Sequence, residues 1–343
     1  MRKILPILLA LALASCGRGG SRYVQINGYA QGGTYTVKVN MAGVELPASA
    51  LKDSVEALLL QIDTTLSGYN KRSLLSRFNA GEPVPATPLF LDMYREAYRW
   101  WQKSGGALDF AAGPLYDAWG FGFRNKSFPS AAQVDSLKGL CGMSHLPSEL
   151  PVKDGIVDPS AIGFPRLNYN AIAQGFSCDI IARYLYGLGV RDMLVDIGEI
   201  WCDGLNPSGK PWAVGIDRPV DQPAGAEAGS EGLNGIWSSS GKPAGIVTSG
   251  NYRKFYIKDG KKYAHTIDPR SGYPVQHNLL SATVVSAQSA ATADAVATWC
   301  MVVGLEEAQK LLLEDPSLEG CLITALPDGT LSEWTTPGFA LQQ

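Results

Sequence analysis

Thr292-Ala293-Asp294-Ala295-Val296-Ala297-Thr298 runs straight into Trp299-Cys300-Met301-Val302-Val303. The apolar run from Ala291 to Val303 has helical length, and the shorter run Leu279 to Ala287 before it reads as a strand. Asp294 is the only charge in this helix. A carboxylate in such surroundings is costly unless it is paired or holds a cation. Thr298 lies four residues on, so its hydroxyl projects from the same face. Carboxylate, hydroxyl and backbone carbonyl form an all-oxygen set suited to Mg²⁺, which typically keeps waters and substrate phosphates as further ligands. A second reading stays open, in which Asp294 is a first-turn residue favoured by the helix dipole.

Working outward, Leu167-Asn168-Tyr169-Asn170-Ala171-Ile172-Ala173-Gln174-Gly175-Phe176 passes from an extended stretch into a helix over Ala173 to Leu188, with Asp179 one turn further. Exposed N–H groups at such a start attract phosphate. Tyr23 to Asn40 reads as two short strands joined by a turn around Gly32-Gly33. Ser49 to Leu66 reads as a helix with Ser49 as its cap. Pro88 to Lys103 is another, with Leu91, Tyr94, Ala97, Tyr98 and Trp101 along one side. Gly105 to Phe123 reads as loop with a helical piece around Leu115 to Ala118. Strands are expected at Asp192 to Ile197, Pro211 to Asp217, Gly245 to Ser249, Arg253 to Lys258 and Lys262 to Ile267, with Gly250 and Asp259-Gly260 at turns. Leu305 to Leu313 is a further helix, and Gln222 to Gly235 a surface loop. Strands and helices mix without a repeating βαβ beat, so the fold class is α+β. No internal repeat marks a boundary. Residues 23–343 form a single large domain of mixed sheets and helices, or two interlocked subdomains.

The 343 residues carry a formal net charge of −3, with 45% hydrophobic and 18% charged residues, a globular composition. No basic cluster is present, which excludes a nucleic-acid-binding role. Met1-Arg2-Lys3 followed by the apolar Ile4 to Ala14 reads as a targeting segment over residues 1–15, too short to span a bilayer stably. It ends in Leu13-Ala14-Ser15-Cys16, which resembles a bacterial lipobox. Cys16 would then carry lipid and anchor an exported domain to a bacterial membrane on the periplasmic side, with residues 16–22 as a glycine-rich tether. The other cysteines, Cys141, Cys178, Cys202, Cys300 and Cys321, show no CxxC spacing and read as buried free thiols, with one disulfide as the alternative. Phosphate-loop, dinucleotide and GxSxG motifs are missing, and His145, His265 and His277 are not at zinc-ligand spacing.

Taken in order, several segments together resemble the FAD:protein FMN transferase family, known as ApbE. Gly32-Gly33-Thr34-Tyr35 stands at that family's Met-Gly-Thr turn. Leu66-Ser67-Gly68-Tyr69 and Ser73-Leu74-Leu75-Ser76-Arg77-Phe78-Asn79 are similar to its LSxY and SxLSRFN signatures. Gly106-Ala107-Leu108-Asp109, Gly113-Pro114-Leu115 and Trp119-Gly120-Phe121 resemble its GxFDPTVGPLxxLWGF. Asn168 to Phe176 sits where DLxxIAKGY is expected, Val195-Asp196-Ile197-Gly198-Glu199 resembles VDIGGE, and His265-Thr266-Ile267-Asp268-Pro269 with Gly272 and Pro274 resembles HxIDPxTGxP. The departures are Gly32 for Met, Asn168 for Asp, Gln174 for Lys, and one missing glycine before Glu199.

The resemblance implies that Asp294 and Thr298, with the carbonyls of Ala171 and Ala297, hold Mg²⁺. It implies that Gly32, Tyr69, Ala107, Leu108, Asp109, Asn168, Gln174 and Ile267 line an FAD site, although core packing is a second account of Tyr69, Leu108 and Ile267. His265 would accept a proton or contact phosphate, or it is a strand residue at the surface. The implied reaction is attack by a Thr or Ser hydroxyl of a target flavoprotein on the FMN-side phosphorus of FAD, with release of AMP. The alternatives are Mg²⁺-dependent FAD hydrolysis to FMN and AMP, and a lipoprotein that binds FAD without chemistry. Asp294 and Thr298 argue against the last, since storage needs no metal.

Overall fold

The computed structural model describes residues 22–123, 128–219, 232–252, 255–258 and 261–342. The targeting segment, Cys16, all of the tether but Arg22, most of the Gln222 to Gly235 loop and the Asp259-Gly260 turn lie outside them. No helix among the described residues is long and apolar enough to cross a membrane.

An eight-stranded sheet forms the centre, and its spatial order follows the chain. It runs β1 (Tyr23–Ala30), β2 (Gly33–Asn40), β3 (Met193–Asp196), β4 (Ile200–Asp203), β5 (Ala244–Gly250), β6 (Leu279–Ser286), β7 (Leu318–Ala325) and β8 (Leu331–Thr335). Each strand is antiparallel to its neighbours. Among the described residues six α-helices are inserted between β2 and β3: α1 (Ala48–Leu66), α2 (Leu74–Asn79), α3 (Pro88–Lys103), α4 (Gly113–Ala118), α5 (Ala131–Leu140) and α6 (Ala173–Gly187). Two more, α7 (Ala290–Val303) and α8 (Leu305–Glu314), join β6 to β7. A three-stranded sheet of Ala213–Asp217, Leu233–Ser238 and Leu341–Gln342 adds a further layer. The class is α+β.

The strands β5 to β7 are apolar on both faces because both faces are covered. Val247, Ala282, Val284, Leu318 and Leu322 join the core beneath the helices. Their alternates Ile246, Val285, Cys321 and Ile323 pack on Trp212 and Trp237 of the small sheet's side. That is the two-residue strand period feeding two cores at once. A third core places Val37, Val39, Met193 and Val195 against Leu51 and Val55 of α1 and Ile181 and Leu185 of α6.

Several local expectations shift. α1 begins at Ala48 after Pro47 and has no side-chain cap, so Ser49 lies inside the helix. The buried stripe of α3 is Phe90, Met93, Tyr94, Ala97 and Trp100, rotated by about one residue from the expected side. Leu91, Tyr98 and Trp101 are only partly buried against that core. The strand expected over Lys262 to Ile267 is broken into Lys261–Ala264 and Ile267–Asp268, because the chain turns at His265 and Thr266 to donate the Thr266 hydroxyl to Asn251 Oδ1. Cys141, Cys178, Cys202, Cys300 and Cys321 are free thiols, all buried except the partly exposed Cys141.

Candidate active site

A cavity of about 1590 Å³ opens between the β1–β2 turn, α1, the segment entering α6, the C-terminal end of β5, and α7. Gly32, Tyr69, Ala107, Leu108, Asp109, Asn168, Ala171, Gln174, His265, Ile267, Asp294 and Thr298 all border it. Segments far apart in the chain thus converge on one space. Ala297 is fully buried among the core residues and is not part of the wall. A separate cavity of about 620 Å³, bordered by residues between Leu140 and Pro151 and between Ala161 and Arg166, contains none of these residues.

Asp294 is 4% exposed and lies in the second turn of α7. Its Oδ2 accepts the N–H of Gly175 from the first turn of α6, at 3.0 Å. The partner is therefore another helix's amide, and the first-turn dipole reading does not describe it. Burial pushes the carboxyl well above the ordinary carboxylate range, the Gly175 amide pulls the other way, and the charge of Asp179 adds to the rise. One turn on, Thr298 Oγ1 is 3.4 Å from Ser249 Oγ at the end of β5.

The start of α7 can come this close to α6 and to β5 because of one glycine on each, Gly175 and Gly245. A Cβ on Gly175 would stand 2.4 Å from the Ala290 carbonyl oxygen, and one on Gly245 would stand 2.5 Å from Ala290 Cα. Both contacts are too short for any side chain. Asp179, on α6, does not border the cavity. Its two oxygens accept the amides of Ala290 and Ala291 at 2.8 and 3.0 Å, and burial pushes its carboxyl up to about 6 despite those bonds.

The other wall residues divide by role. Gly32 has φ +84 in the β1–β2 turn with open space where a Cβ would be, a conformation that favours glycine. Tyr69 is 63% exposed, so core packing does not account for it. Its hydroxyl accepts from Asn170 Nδ2 at 3.2 Å and its ring meets Phe123 edge-on, centroids 5.0 Å apart. Ala107, Leu108 and Ile267 are buried as well as bordering the cavity. Asp109 is tied to the wall, its carboxylate accepting the amides of Ala111 and Met143 at 2.9 Å each. Burial raises its pKa against those bonds. Asn168 Oδ1 accepts the Asn170 amide at 3.0 Å, shaping the turn before α6, and Gln174 Nε2 donates to the Ile197 carbonyl at 3.1 Å. The rings of His265 and Phe121 are 6.4 Å apart at the cavity wall.

Among the described residues no group of three or more His, Cys, Asp and Glu side chains converges to hold a metal. The described lining contains the carboxylates of Glu56, Asp63, Asp109, Glu199 and Asp294 and no Lys or Arg. Such a wall fits an anionic ligand only if cations accompany it. Asp294 and Thr298, and the carbonyl of Ala171 on the same cavity wall, are oxygen donors of the kind a hard divalent ion takes. Gly175, Ser249, Glu199 and the Asp179 cap were not picked out from sequence as site residues. Gly175 and Asp179, four residues apart at one helix start, carried the available signal.

The sequence model of the ApbE family matches residues 31–322. A Haemophilus influenzae protein named FAD:protein FMN transferase is 32% identical over 313 residues, covering 89% of this chain and 87% of that one. The Escherichia coli K12 protein of the same name is 33% identical over 320 residues, covering 88% and 84%. Among solved structures, the flavin transferase ApbE from Vibrio cholerae superposes with a TM-score of 0.76 at 30% identity, covering 93% of this chain and 98% of that one. The apo flavinyl transferase ApbE from Pseudomonas stutzeri gives 0.77 at 30% identity, covering 92% and 95%. With the same segments ordered around one cavity and the match running nearly end to end, this chain belongs to the ApbE family.

Proposed function

We propose that this flavin transferase binds FAD with Mg²⁺ and moves the FMN half onto a Ser or Thr hydroxyl of a target flavoprotein, releasing AMP. The family and the shared name of its relatives support flavin transfer. The observation that carries the finer reading is Asp294, a buried carboxylate on the wall of an acid-lined cavity whose described lining offers no fixed cation.

In this reading Asp294, Thr298 and the Ala171 carbonyl hold the ion. Bound Mg²⁺ would neutralise pyrophosphate oxygens and the charge that develops as AMP departs. The protein's own part is largely positioning. The turn from Asn168 to Ile172 presents backbone at the start of α6, where phosphate oxygens are favoured. Tyr69 at the rim offers a ring face to the flavin or adenine. The acceptor oxygen bonds to the FMN-side phosphorus, the phosphorus–oxygen bond to AMP breaks, and a ring nitrogen of His265 takes the hydroxyl proton. The product is a phosphoester between FMN and the target.

We also propose that residues 1–15 are removed on export and that lipid on Cys16 holds the domain at the membrane, on the periplasmic side. The test of the activity is mass spectrometry of an acceptor flavoprotein after incubation with this protein, FAD and Mg²⁺. Transfer adds FMN to the acceptor with an equal amount of AMP. Free FMN and AMP without adduct would mean hydrolysis, and unchanged FAD would mean binding alone.

A further inference from the structure

We propose that Asp179 is a positioning residue that sets where Asp294 stands in the cavity, through a two-way exchange of carboxylates between α6 and α7. This rests on the reading of Asp294 as a metal ligand. Gly175 and Asp179 are one turn apart on α6, and Ala290 and Asp294 are one turn apart on α7. Asp294 of α7 accepts the Gly175 amide of α6, while Asp179 of α6 accepts the Ala290 and Ala291 amides of α7. Each helix thus ties down the other's first turn.

Every amide at the start of α7 is satisfied, two of them by the exchange. Ala290 and Ala291 donate to Asp179, Thr292 to Ser289 Oγ, and Ala293 to the Ser289 carbonyl. Ala290 and Ala291 are 0% and 3% exposed, so without Asp179 their amides would have neither water nor protein to bond. A buried unsatisfied donor costs about 1–3 kcal/mol, enough to shift or fray a helix start. Asp294 lies one turn beyond those amides, so a displaced first turn displaces the carboxylate as well. Asp179 is not part of the cavity wall. It acts on the chemistry through its hold on α7 and through the charge it places near Asp294. The contact of Gly175 with Ala290 leaves no slack to absorb the shift.

Groups that orient metal ligands typically alter metal affinity or activity roughly 10- to 100-fold when removed. The experiment measures three quantities on the full protein: the Mg²⁺ concentration for half-maximal AMP release, FAD affinity by flavin fluorescence with and without Mg²⁺, and the KM for the acceptor protein. Asp179→Ala should raise the Mg²⁺ requirement by that factor and weaken the Mg²⁺-dependent gain in FAD affinity. Metal-free FAD affinity and the acceptor KM should stay as in wild type. Asp179→Asn, which keeps one acceptor oxygen, should lie between them. Gly175→Ala, which forces the helices apart from the other side, should reproduce the Ala phenotype. If Asp179→Ala does not fold, the Asn and Gly175 variants decide. Lower melting temperatures with a wild-type Mg²⁺ requirement in both would make the exchange purely structural and overturn the proposal. A wild-type protein with no Mg²⁺-dependent gain at all overturns the metal reading of Asp294 as well, and that outcome is visible before any variant is made.

Discussion

Asp294 reaches across from α7 to the entry of α6, where its carboxylate accepts a backbone amide, that of Gly175. A carboxylate buried with one neutral donor is under-compensated in the free protein. The same arrangement leaves it ready for a cation arriving with an anionic substrate.

The first prediction follows. Asp294→Asn keeps an oxygen for the Gly175 amide and removes a buried charge. In metal-free buffer the variant should melt at or above the wild-type temperature. AMP release should fall by about a thousandfold, since losing an anionic ligand removes several kcal/mol of charge stabilisation. A folded variant with near-normal AMP release would place the metal elsewhere.

Tyr69 gives a prediction on binding. It is largely exposed, and it meets Asn170 through its hydroxyl and Phe123 through its ring. Tyr69→Ala should leave the melting temperature within about a degree, as exposed substitutions usually cost under ~0.5 kcal/mol. FAD affinity should drop several-fold, about 1 kcal/mol for a lost aromatic contact. Tyr69→Phe should retain most of it. Titration of flavin fluorescence measures both.

His277 sets a pH dependence. Its Nε2 donates to the Met301 carbonyl near the end of α7 at 2.9 Å, and its buried Nδ1 has no partner among the described residues. Burial holds the imidazole below its ordinary 6.5. As pH falls through 6.5 the unfolded chain takes up a proton that the folded protein resists. Stability from this group is therefore full above that pH and lost as pH falls toward the folded value, at no more than about 1.4 kcal/mol per pH unit. The melting temperature of wild type should fall more between about pH 7.5 and about pH 5.5 than that of His277→Gln. Equal falls in the two proteins would remove His277 from the account.

The anchor is tested by location. Cys16→Ser should leave the protein in the soluble exported fraction, because lipid on that thiol is the proposed attachment. Undiminished membrane fractionation would count against it.

Much of the site was legible because its motifs are local. Asp294 with Thr298, and Asn168 through Gly175, could each be read within one helix or one turn. The route by which they meet could not. Nothing in Gly175 announces that its hydrogen atom in place of a side chain serves contact with Ala290, more than a hundred positions later. Asp179 reads as an ordinary helix carboxylate until its partners are seen on α7. In the fold, α7, β5 and β6 were plain from continuous apolar runs. β4, β7 and β8 escaped; Glu319 interrupts the apolar stretch of β7, and the pairing of all three is set by long-range packing rather than by local propensity. α5 went unread although Ser130 and Gln133 form a reciprocal capping pair, because its exposed face leaves only Val134 buried.

The neighbour relation of β2 and β3 has a consequence in time. Val39 is paired with Met193, and all six inserted helices lie between them. A chain emerging N-terminus first makes the β1–β2 hairpin early and then must synthesise and accommodate the whole helical insert before that hairpin's open edge finds its partner. Until then β2 presents unpaired backbone, the kind of edge that recruits other chains. Closing so long a loop is slow compared with making a helix, so the helices inside it have time to form first. Assembly of this protein is thus timed by its sheet, and the exposed edge of β2 is where a chaperone would have the longest opportunity to bind.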